Sequence, residues 1–214
     1  SKTLLDVAIG QIPDAVYFLN VQYRMHKDIM AFSNSYFYKD GLMAHDSVAD
    51  RGWSASESAV VFIDTAGCGF EEQPGTDGNS LQNQEEWSLI QKHIESKQML
   101  AIGDVAVISP YRAQVSWMQN ELAELPRMTV NTIDSFQGQE DDIVYISLVR
   151  SNDNSEIGFL KDYRRMNVAM TRAKIGLVIV GDSATLAKDA FYSSMIEMIE
   201  KKGGYISAWE ILYS

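Results

Sequence analysis

The sequence predicts an α/β fold with a mostly parallel sheet that is covered by helices on both faces. Residues 60–63 and 105–108 are continuous apolar runs rich in β-branched side chains, as strands buried on both faces are. Segments with helical spacing alternate with such runs, which is typical of β-α-β units. With 214 residues, 46% of them hydrophobic, the chain is long enough for one sizeable core.

The predicted elements follow from apolar spacing and from residues that cap helices. The predicted strands lie at residues 17–19, 60–63, 105–108, 128–132, 143–149 and 177–180. The predicted helices cover residues 25–38, 83–97, 111–124, 162–174 and 183–203. Asn83 with Glu86 resembles a capping box, and Ser109 and Asp182 are predicted caps of later helices. Residues 64–80 are rich in Gly, Pro and acidic residues, so we predict a loop excursion within a single domain.

Composition limits the classes of function. No apolar run approaches the ~20 residues needed to cross a bilayer, and no signal-like stretch opens the chain, so we expect an intracellular, cytoplasmic protein with no membrane partner. The single cysteine, Cys68, excludes an internal disulfide and a cysteine-based zinc cluster, and we predict no metal site. The net charge of −11 argues against nucleic acid contacting the whole surface. One segment is nevertheless locally basic, and its cations are Arg150, Lys161, Arg164, Arg165, Arg172 and Lys174.

The first cluster of residues suited to chemistry lies at 21–26, where a predicted strand leads into a helix. Tyr23 offers a ring on which a base can stack, and Arg24 offers a guanidinium for a phosphate. The alternative is a tyrosine packed on the sheet beside a surface arginine. His26 is predicted to be a polar residue at the helix start, because no carboxylate or metal partner is apparent.

The second cluster is the turn at residues 132–140, which follows a predicted buried strand. Ligands bind beyond the carboxyl ends of strands in open α/β sheets. The hydroxyls of Thr132 and Ser135 can donate to phosphates, and Gly138 lets the backbone approach a ligand closely. Glu140 can accept a hydrogen bond from a sugar hydroxyl. The alternative is a polar turn made of ordinary turn-forming residues.

The third cluster is the predicted helix at residues 162–174. Arg165 and Arg172 are seven residues apart, so on a helix they would project from one face. Two arginines on one face suit planar oxyanions such as phosphate. The alternative is a charged helix face that is simply solvated.

These motifs resemble those of superfamily 1B helicases of the nonsense-mediated-decay and Okazaki-fragment nuclease-helicase type. Residues 22–26 (Gln-Tyr-Arg-Met-His) resemble the motif that follows motif III, and residues 109–111 (Ser-Pro-Tyr) resemble motif IV. Residues 130–140 resemble motif V and residues 164–173 resemble motif VI. The four motifs occur in the family's order and cover nearly the whole chain. The resemblance implies a RecA-like fold of the P-loop NTPase type, in the position of the second motor domain.

The resemblance also implies roles for the matched positions. Arg24 and Arg172 would be arginine fingers that stabilise charge on the transferred γ-phosphate. Four further residues would bind ATP: Tyr23 on adenine, Gln137 and Gly138 near the γ-phosphate, and Glu140 on the ribose. Three would contact the phosphates of single-stranded DNA or RNA, and they are Thr132, Ser135 and Tyr111. Asp134 and Arg165 would couple the two sites.

One departure from the family pattern bears on these roles. The sequence contains no Gly-x-x-x-x-Gly-Lys-Ser/Thr phosphate loop, and no counterpart of the family's magnesium carboxylates or water-activating glutamate. We therefore expect the chain to be the C-terminal half of a larger ATP-dependent helicase. Its cofactor would be ATP with Mg²⁺, and the Mg²⁺ ligands would lie in an N-terminal RecA-like domain that the chain lacks. Two alternatives are an inert interaction module and a stand-alone nucleotide-binding or phosphate-transfer domain.

Overall fold

A six-stranded parallel sheet organises the computed structural model, which describes residues 11, 17, 19–76, 78–122 and 126–213. The strands in chain order are β1 (Val21–Gln22), β2 (Met43–Ala44), β3 (Val60–Asp64), β4 (Gln73–Pro74), β5 (Leu81–Gln82), β6 (Val105–Ser109), β7 (Met128–Thr132), β8 (Asp141–Ser147), β9 (Ala173–Gly181) and β10 (Tyr205–Ser207). The large sheet has the order β10-β3-β9-β8-β6-β7, and every neighbouring pair in it is parallel. The pairs β1–β2 and β4–β5 form two small separate sheets.

Helices cover both faces of the large sheet. In chain order they are α1 (Lys27–Tyr38), α2 (Asp46–Ala49), α3 (Gln84–Ser96), α4 (Met99–Ile102), α5 (Arg112–Glu121), α6 (Tyr163–Met170), α7 (Ser183–Leu186), α8 (Ala190–Lys201) and α9 (Ala208–Leu212), with a 3₁₀ turn at Gly158–Lys161. Successive residues of a strand point to opposite faces, so Val60 and Phe62 join one apolar cluster while Val61 and Ile63 join the other. The first cluster lies against α1, α6 and α8, and the second against α3, α5 and α9. The predicted α/β class with helices on both faces is confirmed.

The predicted first strand is wrong. Tyr17 and Leu19 lie outside any strand and are 85% and 88% exposed, while Phe18 falls outside the described residues. The first strand is instead β1, which pairs only with β2. A short apolar run is not enough to make a strand when no partner strand lies beside it.

Two helix starts differ from the predictions. Ser109 is the last residue of β6 and does not cap a helix; Tyr111 occupies the cap position of α5 and makes no side-chain cap bond. Asn83 does cap α3, because its side chain accepts from the N–H of Glu86. The carboxyl of Glu86 does not complete the predicted capping box. It is buried, and it accepts hydrogen bonds from Ser147 at the end of β8 and from Val149 just beyond it.

The predicted helix at 162–174 is shorter than expected. It ends at Met170, and β9 already begins at Ala173. The amide of Asp141 donates to the carbonyl of Arg172 (3.2 Å), so pairing with β8 begins directly after a turn at residues 171–172. Arg165 and Arg172 therefore do not share a helix face, and that prediction is wrong. The predicted last helix is likewise divided in two, with Asp182 capping α7 and Asp189 capping α8.

Candidate nucleotide and nucleic-acid site

The connection at residues 133–140 joins two opposite ends of the sheet. Because the strands are parallel, Thr132 at the end of β7 lies at the carboxyl end of the sheet, and Asp141 at the start of β8 lies at the amino end. A five-residue strand separates these ends by about 16 Å. The predicted site residues are thereby divided into an amino-end group and a carboxyl-end group.

Three charged residues of separate sequence segments meet at the amino end. The guanidinium of Arg24 pairs with the carboxylate of Glu140 and donates to the carbonyl of Thr171 (3.2 Å). Arg172 donates to the carbonyl of Gln139 (3.3 Å). Arg24 and Arg172 are close enough for each to act on the other electrostatically. The two arginines that a shared nucleotide requires therefore lie on the same side of the molecule.

Cations and carboxylates are mixed at this cluster. Burial lowers the pKa of Arg172 below its ordinary value, and the nearby charge of Arg24 lowers it further, while Glu140 partly offsets both. Lys174 adds a third cation, with its Nζ 3.8 Å from carboxylate oxygens of both Glu140 and Asp142. Two guanidiniums held together against their mutual repulsion form a site that an oxyanion would stabilise.

A side chain that the sequence did not single out holds Arg24 in place. The Oε1 of Gln22 accepts from the N–H groups of Arg24 (2.8 Å) and Met25 (2.7 Å), and its Nε2 donates to the carbonyl of Met25 (2.8 Å). The N–H of His26 donates to the carbonyl of Lys174 (2.9 Å), which fastens this turn to β9. Gln22 therefore stabilises the turn that positions Arg24. In the sequence, the only indication of this role was a polar side chain at the end of a short strand.

Tyr23 presents its ring at the surface beside this cluster. Tyr23 is 65% exposed, and its ring stacks on that of His45 with centroids 4.5 Å apart. His45 is itself held in place as the cap of α2, where it accepts from the N–H of Ser47 (3.2 Å). One face of the Tyr23 ring is thus supported by His45, and the rest of the ring is exposed to solvent. His45 carried no sequence signal, because nothing local connects it to Tyr23.

His26 has the structural role that was predicted for it. Its Nδ1 accepts from the N–H of Asp28 (3.0 Å) and caps α1. Burial is the main reason that its pKa lies below the ordinary value.

The connection itself is open at its middle. Gln137 and Gly138 are exposed, and Gly138 has a φ of 88°. No heavy atom lies within 4 Å of the position where a Cβ on Gly138 would sit. A ligand can therefore approach the backbone here without meeting another part of the chain.

The carboxyl-end group contains the two hydroxyls predicted to contact phosphates. The Oγ1 of Thr132 and the Oγ of Ser135 lie 2.8 Å apart, and the N–H of Ser135 donates to Thr132 Oγ1 (3.1 Å). Asp134, between them, forms a two-point ion pair with Arg165, with N–O distances of 2.8 and 2.5 Å. Asp162 caps α6 by accepting from the N–H of Arg165 (3.1 Å). Thr132, Asp134 and Arg165 line a cavity of about 490 Å³. Its other lining residues are Asn79, Ser80, Pro110, Arg112 and Phe159.

Tyr111 does not lie where a direct phosphate contact would require it. The residue is only 2% exposed, and its ring packs against that of Phe159 with centroids 5.5 Å apart. The sequence correctly predicted that Tyr111 follows β6. Its burial could not be predicted, because a tyrosine at the start of a helix can face either the core or the solvent. The side chain exposed above it is Phe159.

Two further features of the described residues bear on the predicted partners. None of the groups of His, Cys, Asp and Glu within residues 19–76, 78–122 and 126–213 is arranged to hold a metal ion. Among the helices of the part that the structure describes, none combines the length and apolar character required to span a membrane.

Comparison with known proteins identifies similar sequences over most of the chain. A family model described as an AAA domain matches residues 1–184. The chain is 37% identical over 210 residues to the DNA-binding protein SMUBP-2 of Mesocricetus auratus, covering 92% of this chain and 21% of that protein. It is 36% identical over 231 residues to the DNA polymerase alpha-associated DNA helicase A of Saccharomyces cerevisiae, covering 97% of this chain and 32% of that protein.

A third relative is named as a regulator of nonsense transcripts. The chain is 32% identical over 212 residues to the regulator of nonsense transcripts 1 of Dictyostelium discoideum, covering 92% of this chain and 16% of that protein. The chain thus spans between about a sixth and a third of the length of these three relatives.

Proposed function

This chain belongs to the AAA domain family and to the superfamily 1 helicases, and we propose that it is the second RecA-like motor domain of an ATP-dependent DNA or RNA helicase. The observation that carries the proposal is the meeting of Arg24 and Arg172 at Glu140. Both would serve as arginine fingers to a nucleotide that a preceding RecA-like domain holds on its other side. Single-stranded DNA and RNA are substrates inside the cell, so the proposal includes an intracellular, cytoplasmic location.

The amino-end residues suit a nucleoside triphosphate. Tyr23 has an exposed ring for the adenine, and Gly138 leaves open space beside Gln137 for the γ-phosphate end. Glu140 would accept from the ribose hydroxyls. ATP supplies the phosphoryl bond that is cleaved, and its Mg²⁺ would be held by carboxylates of the preceding domain. What this chain contributes is positive charge at the place where negative charge develops, which is a large share of catalysis in phosphoryl transfer.

Nucleotide binding at the amino end of the sheet would require Arg24 to exchange its ion-pair partner Glu140 for a phosphate. Arg24 is neutralised by Glu140 in the structure, so it has to leave that carboxylate before it can contact a phosphate. The same step frees Glu140 to accept from the ribose. A guanidinium can form two parallel hydrogen bonds with a phosphate as well as with a carboxylate, so the exchange retains comparable contacts.

The carboxyl-end residues would grip the nucleic acid. The hydroxyls of Thr132 and Ser135 are neighbours and would donate to successive phosphates of a single strand. The pair of Asp134 with Arg165 connects this turn to α6, and α6 leads directly to Arg172. ATP binding would close the cleft between the two motor domains and hydrolysis would open it, which would move the grip along the strand.

The experiment uses the full-length protein that contains this chain, with ATP hydrolysis measured in the presence of saturating single-stranded DNA or RNA. We expect Arg172→Ala and Arg24→Ala each to lower the turnover by about 10³-fold or more, as for other arginine fingers. Arg172→Lys should recover little, because an ammonium cannot reproduce the planar fork. Arg164→Ala is the matched control, since Arg164 is an exposed arginine in α6, and its turnover should stay near that of the unaltered protein.

Two results would contradict the proposal. The first is wild-type-like turnover by a folded Arg172→Ala variant. The second is magnesium-dependent ATP hydrolysis by the isolated 214-residue chain, which has no phosphate loop and should show none.

A further inference from the structure

We propose that Phe159 is a base-stacking platform for the single strand and that Arg112 anchors a phosphate beside it; this inference rests on the proposed function. Phe159 is 59% exposed and lies in the wall of the cavity that Thr132 and Arg165 also line. A single exposed aromatic residue is unremarkable on a protein surface. An exposed ring in one cavity with a hydroxyl and the guanidinium of Arg112, which is unpaired among the described residues, is a combination that suits single-stranded nucleic acid.

The ring of Phe159 is held outward by the structure beneath it. The ring of Tyr111 lies under it at 5.5 Å and is tilted by 40°. The next residue, Leu160, is 1% exposed, and its carbonyl accepts from the hydroxyl of Tyr192 (2.8 Å). The carbonyl of Phe159 accepts from the N–H of Asp162 (3.2 Å). The ring is therefore supported from beneath and the backbone at Phe159 and Leu160 is anchored, so little conformational freedom is lost when a base stacks on it.

Arg112 lies at the amino end of a helix, where a positive charge slightly lowers the stability of the fold. It is the first residue of α5, a ten-residue helix whose first turn contains no acidic residue. The amino end of a helix already carries partial positive charge, so an arginine there is mildly destabilising. Arg112 is exposed, and among the residues that the structure describes it forms no ion pair. A phosphate would satisfy both the guanidinium and the helix end.

The two residues should differ in what they recognise. Stacking on Phe159 needs a base but tolerates any base, whereas Arg112 needs only a phosphate. Arg165 is already neutralised by Asp134, so Arg112 is the cation of this cavity that remains available. The strand would thus be held by a base on one wall and by its backbone on the other, with no sequence preference.

The test measures the affinity of the full-length protein for fluorescent single-stranded DNA and RNA of mixed sequence, over a series of salt concentrations. Phe159→Ala should weaken binding by about 5- to 150-fold, the range for loss of one stacked base, and should leave the salt dependence unchanged. Phe159→Trp should retain the affinity. Arg112→Ala should weaken binding at low salt and lower the slope of log affinity against log salt by about one.

Two controls isolate the stacking. On an oligonucleotide whose bases have been removed, Phe159→Ala should bind as the unaltered protein does, because only the base is recognised. Tyr213→Ala removes an aromatic residue of 78% exposure that stacks on Trp209, away from the cavity, and should bind normally. Unchanged affinity of Phe159→Ala for intact strands would overturn this inference and leave the proposed function standing. No single-strand binding by the unaltered protein would overturn both.

Discussion

A buried carboxyl near the carboxyl end of the sheet makes the stability of this domain dependent on pH. Glu86 is 0% exposed, and its carboxyl accepts from the hydroxyl of Ser147 (2.6 Å) and from the N–H of Val149 (3.0 and 3.1 Å). Burial raises the pKa of Glu86 from 4.5 to about 8, although these two donors favour the charged form. The carboxyl is therefore protonated in the folded chain at a pH where it is ionised in the unfolded chain.

The sign and size of the effect follow from this difference. The folded chain binds the proton more tightly, so the contribution of Glu86 to stability is fully present below pH 4.5 and is lost as the pH rises to about 8. At about 1.4 kcal/mol per pH unit, the interval corresponds to at most about 5 kcal/mol. Glu86→Gln places a neutral amide of the same shape there, which can accept from Val149 and donate to Ser147. That variant should not have this dependence.

The measurement is the free energy of unfolding in urea, followed by fluorescence of the four tryptophans, at intervals from pH 4.5 to 8.5. The stability of Glu86→Gln relative to the unaltered chain should rise across this range by at least about 1 kcal/mol and at most about 5 kcal/mol. Glu85→Gln, at the exposed neighbouring position of α3, is the control and should stay parallel to the unaltered chain. Parallel curves for Glu86→Gln as well would refute the argument that the buried carboxyl is protonated.

Two other perturbations test the same physical reasoning. His93 is buried with its Nδ1 2.8 Å from the hydroxyl of Tyr145, and burial lowers its pKa from 6.5 to about 4. The free energy of unfolding should therefore fall by up to about 3 kcal/mol as the pH falls from 6.5 to about 4. His93→Gln should not show this fall in urea titrations extended down to about pH 4. Gly138→Ala should cost about 1 kcal/mol of unfolding free energy from backbone strain alone, because its φ is 88° and no atom crowds the new Cβ. A loss of several kcal/mol on urea unfolding would show hidden crowding at that position.

Much of the fold was predictable because its strands are buried on both faces. Such strands have continuous apolar sequences, and the runs at residues 60–63 and 105–108 are both strands of the large sheet with every residue buried. Residues 128–132 alternate between apolar and polar side chains, and they form the edge strand β7. Helix α1 and the cap at Asn83 were likewise predictable, since spacing and capping are local properties. The excursion at residues 64–80 also follows its composition, although it contains the short strand β4.

The remaining differences come from contacts that are distant in sequence. Residues 171–174 have a helical pattern, but pairing with β8 begins at Ala173, so the helix ends at Met170 and Arg172 lies in the turn before β9. Tyr111 is buried because the turn around Phe159 folds over it. No local rule states which neighbour a segment will meet, so these outcomes had to come from the tertiary structure.

The division of the candidate residues between two ends of the sheet could not be predicted from the sequence. The resemblance to the helicase family implied the roles of Arg24, Glu140 and Arg172, and their meeting at one place was expected from it. The separation of this group from Thr132 and Ser135 by the length of the sheet was not. It follows from the parallel order of β7, β6 and β8, which only the strand pairing reveals.

Helix α6 spans the gap between these groups. Its eight residues measure about 12 Å, with Arg165 in its first turn and Arg172 two residues past its end. Under the proposed function, α6 is a direct connection between the strand site and the nucleotide site. Any coupling between them is reciprocal: whatever factor the strand imposes on nucleotide affinity, the nucleotide must impose on strand affinity.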